Sequence, residues 1–168
     1  MKKHKAKYKG TVLLAPGPQG PGERGQEMGV HCLFSQISVL KPDAFPFRVV
    51  DYDTHRGYDC LVTSSSALDL NNPDLSFVEF KYKMETKFNH SFEKLKYVVC
   101  WECNLNFGTE IFDLSQERRI LEIYPIGNER DHTTYYLRAL GKPHNIEVFV
   151  LKDYLKDKLG IEFRPSSV

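Results

Sequence analysis

Long apolar runs are missing from the sequence, and with them any candidate for a bilayer-spanning helix, which needs roughly 18 consecutive apolar residues. The N-terminus also lacks the continuous hydrophobic region of a secretory signal. Cysteine is scarce: Cys32, Cys60, Cys100 and Cys103 are the four in 168 residues, and their spacing does not resemble a disulfide framework. These absences together predict a soluble, cytoplasmic protein with free thiols. Charge of one sign is missing too, because 23 Lys and Arg stand against 22 Asp and Glu, for a formal +1. Nucleic-acid binding through bulk charge is thereby excluded, and any such contact must come from a local patch. No internal repeat is present.

What is there suits one domain. With 41% hydrophobic residues the chain can build one well-packed core, and it is too short for two ordinary ones. Residues 1–25 read as a basic, Pro/Gly-rich N-terminal arm: MKKHKAKYK opens it, and the Pro/Gly-rich stretch 16–25 cannot build a core of its own. Residues 26–168 read as the single folded domain. Within it Met28, Val30, Leu33, Phe34, Ile37 and Leu40 recur at helical spacing, and Pro42 supplies the stop. Residues 47–51 and 58–63 read as paired strands, followed by a polar excursion over 64–76. Further strands are expected at 97–101, 119–124, 133–140 and 146–150. A short helix is expected over 91–95 with Asn89 or Ser91 as its cap, and a last helix over 151–159 stopped by Gly160.

The strand at 77–83, FVEFKYK, carries the chemistry. Successive strand side chains take opposite faces, so Val78, Phe80 and Tyr82 point one way while Phe77, Glu79, Lys81 and Lys83 point the other. An acid and a base thus share one face of an otherwise apolar strand, where an uncompensated charged pair is costly. Glu85-Thr86-Lys87 repeats the acid-x-lysine triplet, but inside a polar run. Asp59 follows Gly57-Tyr58 into the preceding apolar strand. Because Asp59 and Glu79 come from different strands they can converge on one hard cation such as Mg²⁺. Asp51 and Asp53 compete with Asp59 but suit turn chemistry. A structural ion pair or a half-exposed strand edge is the alternative account of Glu79 and Lys81.

The order helix, strand, strand, strand, helix, strand over residues 26–101, with Asp59 opening the second strand and Glu79-Phe80-Lys81 in the third, resembles the PD-(D/E)xK nuclease superfamily. That resemblance implies the restriction-endonuclease-like α/β fold, a mixed central sheet flanked by helices. It implies a Mg²⁺- or Mn²⁺-dependent endonuclease in which Asp59, Glu79 and the backbone carbonyl of Phe80 bind metal. Lys81 would position and polarise the attacking water. Glu27, on the first helix, is a further metal candidate, since some members carry a glutamate there; a helix N-terminal acid favoured by the dipole is its other reading. The polymer implied is nucleic acid, DNA ahead of RNA, and cutting both strands of a duplex would suit a homodimer. FVEFKYK and HSFEKLKYVVCWEC taken together also resemble nuclease-like modules attached to ATPases in bacterial antiviral defence, which implies an ATPase or other defence-system partner. The rival is a catalytically silent module of the same fold that binds a protein or nucleic acid without cutting.

Three further residues are candidates for nucleic-acid contacts: His90 just before the short helix, Lys94 on it, and Lys83 from the strand. Capping or solvation is the plainer reading of each. Cys100-Trp101-Glu102-Cys103 has half the ligands of a zinc site and no second pair at a familiar spacing, so buried thiols are expected.

Overall fold

The computed structural model describes residues 4–17, 27–52, 59–64, 74–142 and 144–165. In chain order the elements are β1 (His4–Tyr8), β2 (Thr11–Leu14), α1 (Glu27–Leu40), β3 (Phe47–Tyr52), β4 (Cys60–Ser64), β5 (Leu75–Lys83), β6 (Leu95–Glu102), β7 (Glu110–Phe112), β8 (Arg118–Tyr124), β9 (Thr134–Arg138), β10 (Ile146–Val150), α2 (Leu151–Leu159) and β11 (Arg164–Pro165). The class is α/β. One mixed sheet of eight strands runs β3-β4-β5-β6-β10-β9-β8-β7, and a small sheet of three runs β11-β1-β2. Strands β5 and β10 lie parallel to β6, and every other pair in the large sheet is antiparallel.

The large sheet curls on itself. Its last strand meets the segment leaving β5: Phe88 N–H donates to the Phe112 carbonyl at 2.8 Å, and Phe112 N–H to the Thr86 carbonyl at 2.9 Å. Strand alternation divides the core accordingly. On one face Val30, Leu33, Phe34 and Ile37 of α1 and Leu151, Tyr154 and Leu155 of α2 pack with Val78, Phe80, Tyr97, Val99 and Phe149. On the other, Val98, Cys100, Val148 and Val150 meet Leu121, Leu137, Met84, Phe88 and Phe92. Both helices thus serve one face, and the curl with the β5–β6 connection closes the other.

The N-terminal segment departs from the expected arm. Residues 4–14 form a hairpin whose Lys9 and Gly10 both take positive φ, 46° and 83°, the combination that matches strand twist in a two-residue turn. Leu13 is fully buried in the core, and β1 pairs with β11 from the far end of the chain. The expected helix over 91–95 is a correction: residues 92–94 make one turn and β6 begins at Leu95. Ser91 does cap locally, its Oγ accepting from Glu93 N–H at 3.1 Å. Propagation stops because Phe92 is drawn into the core, its N–H donating to the buried carboxylate of Asp113 at 2.9 Å. Strand β10 and helix α2 occupy the residues expected, and Gly160 ends α2 in the left-handed region at φ 64°. No helix among the described residues is long and apolar enough to cross a membrane.

Candidate functional site

The last paired residues of β4 and β5 are Cys60 and Val78, so the Phe80 main chain lies just past the end of that ladder. Asp59, one residue before β4, takes over there: its Oδ2 accepts a hydrogen bond from Phe80 N–H at 2.6 Å. In an extended strand the N–H and C=O of one residue leave by the same edge. The Phe80 carbonyl therefore opens toward Asp59 as well. Burial first, then the negative charge of Glu79, push the Asp59 carboxyl up to about 6, against the pull of the Phe80 N–H and of Lys81.

Glu79 and Lys81 sit on the opposite face of β5 from Phe80, beside Val98 and Cys100 of β6 in register. Both are buried, 5% and 7% exposed. Lys81 Nζ is 3.0 Å from Glu79 Oε1, and His90 Nε2 comes within 2.8 Å of Glu79 Oε2, a close approach that lacks hydrogen-bond geometry. The Phe88 ring roofs the group, 5.1 Å from Lys81 Nζ and edge-on to His90 at 5.6 Å. Burial works against the Lys81 ammonium, but the charge and hydrogen bond of Glu79, with Glu27 and Glu85 behind, outweigh it and raise its pKa. Lys81 is thus held as a cation. Glu27, at the start of α1, is raised by burial, pulled back by Lys81 and pushed up again by Glu79 and Glu85. It belongs to the same electrostatic group.

No protein-family model matches the chain, and no curated protein or solved structure is significantly similar to it. The site's own chemistry therefore carries the functional reading.

Among the described residues no group of three or more His, Cys, Asp and Glu side chains is placed to hold a metal ion. The donors on offer are Asp59, Glu79 and the Phe80 carbonyl. Mg²⁺ keeps several of its waters and is commonly held by one or two carboxylates, so this hard-oxygen set suits Mg²⁺ or Mn²⁺ provided Glu79 releases one of its two partners. A zinc cage it is not. Cys100 and Cys103 stay free, and burial raises both thiols.

Asp59, just before β4, is electrostatically coupled to Glu79 and Lys81 of β5 and to Glu27 of α1. The competitor Asp51 lies exposed on β3 and accepts from Tyr52 N–H at 2.8 Å, while Asp53 lies outside the described residues. Lys83 and Lys94 are exposed, but at opposite ends of the β5–β6 pair. His90 is a correction to the expected nucleic-acid contact: it is 5% exposed and turned inward onto Glu79. A signal for this existed. Phe88, His90 and Phe92 alternate as buried positions with Asn89 outside, so FNHSF carries the period of a strand and not of a capped helix.

Proposed function

We propose that this chain is a metal-dependent phosphodiesterase of PD-(D/E)xK type, cutting nucleic acid, DNA ahead of RNA, on a restriction-endonuclease-like core. The observation that carries the reading is that Asp59, just before β4, is hydrogen-bonded to the Phe80 main chain between the ion-paired Glu79 and Lys81 of β5. The arrangement of α1, antiparallel β3-β4-β5 and parallel β6 is consistent with that core, although one turn stands in place of its second helix.

Each residue has a part. Asp59 and Glu79 would hold Mg²⁺ or Mn²⁺, helped by the Phe80 carbonyl, with Glu27 as an outer acid. The ion, when bound, supplies positive charge to the phosphate and to the attacking water. Lys81, kept protonated by Glu79, donates from Nζ toward that water and favours its deprotonated form. His90, 2.8 Å from the second oxygen of Glu79, limits how that carboxylate can turn. Asp59 must give up its proton to ligate, so with its carboxyl near 6 activity should rise with pH through that value.

Cleavage of labelled single-stranded DNA, duplex DNA and RNA in Mg²⁺, Mn²⁺ or EDTA tests the reading directly. Metal-dependent cutting by the wild type, abolished in folded Lys81→Ala and Asp59→Asn, is the expected result. If folded wild type cuts none of these polymers, alone or with an ATPase partner supplied, the second reading takes over. That reading is a silent binding module, and it is favoured by one observation: Glu79 is already ion-paired with Lys81 within the chain.

A further inference from the structure

The small sheet carries charge that the site on β4 and β5 does not use. Ala6 and Tyr8 of β1 pack on the core, so Lys5 and Lys7 project from the opposite face, and Lys9 follows exposed in the turn. Register sets Arg164 of β11 beside Lys5 on one flank, and Leu14 and Val12 of β2 beside Lys5 and Lys7 on the other. Among the described residues Lys5 and Lys7 have no carboxylate partner, while Lys9 lies over its own Tyr8 ring at 5.7 Å. Arg164 lies 3.5 Å from Glu162. Alternate residues of an antiparallel strand stand about 6.8 Å apart, so Lys5 and Lys7 stand in line on the outer face, and Lys9 adds its charge from the turn beyond them. The row is firmly mounted, since Leu13 of the same hairpin is fully buried. In a chain of formal charge +1, four cations gathered on β1, its turn and β11 are a local patch of the kind that phosphate-backbone binding requires.

We propose that the outer face of β11-β1-β2 is a sequence-independent docking track for a polynucleotide backbone, with Lys5, Lys7, Lys9 and Arg164 each pairing with a phosphate. Choosing a polynucleotide among polyanions rests on the phosphodiesterase reading; the cation row does not. An acidic membrane is disfavoured because the outward apolar surface beside the row amounts to Val12 and Leu14, each about half exposed, with too little area to insert.

The test is fluorescence anisotropy of labelled single- and double-stranded oligonucleotides with the full chain in EDTA, across a salt series. Wild type is compared with Lys5→Gln/Lys7→Gln/Lys9→Gln, with the charge-keeping Lys5→Arg/Lys7→Arg/Lys9→Arg, and with Lys152→Gln/Lys156→Gln on α2. The glutamine triple should lose about tenfold or more in affinity at low salt, and its slope of log K against log salt should fall by about 3, while the arginine triple and the α2 pair stay at wild type. A glutamine triple with unchanged affinity and slope overturns the track. So does a wild type that binds no oligonucleotide, whether or not it binds anionic phospholipid vesicles. Binding through the row without cleavage in Mg²⁺ would leave the track standing and remove the phosphodiesterase reading; cleavage with the row irrelevant to binding would do the reverse.

Discussion

Glu79 lies between Lys81 and His90: Nζ of the lysine stands 3.0 Å from Oε1, and Nε2 of the histidine 2.8 Å from Oε2 without hydrogen-bond geometry. All three side chains are buried beneath Phe88 and the β5–β6 connection. Taking such a set out of water costs several kcal/mol per ion, which its mutual attraction offsets only when every partner is present. Apolar residues of similar volume would satisfy the fold as well. The charges are therefore better explained by what they do than by what they stabilise.

That argument has a stability consequence. Lys81→Met alone strands the charge of Glu79 and should destabilise the protein by about 3 kcal/mol in urea unfolding. Glu79→Leu/Lys81→Met/His90→Leu removes the whole set and should recover most of that loss. A triple variant no more stable than the single one would mean that the charges hold the fold together, and would count against a functional role.

Asp59 sets a pH dependence whose sign follows from its elevated carboxyl. The folded group titrates near 6 against an ordinary 3.8, so the folded state holds the proton more tightly. Its contribution is complete below the unfolded value and is lost as pH rises through about 6. The two-unit elevation corresponds to ~3 kcal/mol at full strength, and partial exposure reduces this to about 1–2 kcal/mol. Asp59→Asn should therefore be more stable than wild type at neutral pH and should lack that part of the slope. Equal stability of the two proteins across this range would contradict the assignment.

Divalent metal should act through the same carboxyl. Near pH 6, Mg²⁺ binding should release protons as Asp59 ionises and should raise Tm with metal concentration, and both effects should vanish in Asp59→Asn. Calorimetry in buffers of different ionisation enthalpy reads the proton; thermal scans read the binding. Wild type indifferent to millimolar Mg²⁺ and Mn²⁺ in both measurements would remove the metal from the site.

His90 should matter to rate more than to substrate affinity. An outer partner that orients a metal-binding carboxylate typically contributes about 10–100-fold. His90→Ala should lower kcat within that range with KM little changed, and His90→Gln, which can still donate to Glu79, should restore part of it. A large rise in KM at constant kcat would instead mark His90 as a substrate contact.

The sequence by itself determined those features that depend on local period and local breakers. The apolar stripe of α1, the alternation that sets Glu79 and Lys81 on the face opposite Phe80, strand β10, and α2 with its left-handed Gly160 all follow from spacing and backbone preference. Tertiary structure decided the rest, because long-range pairing and burial override weak local preference. Lys9-Gly10 is a hairpin turn only because β1 finds both β2 and the distant β11. Residues 92–94 abandon a helix because Phe92 is worth more inside the curled sheet, where Asp113 satisfies its N–H. His90 looks like a capping or solvated residue until Phe88 and Phe92 carry it inward, to within 2.8 Å of the Glu79 carboxylate.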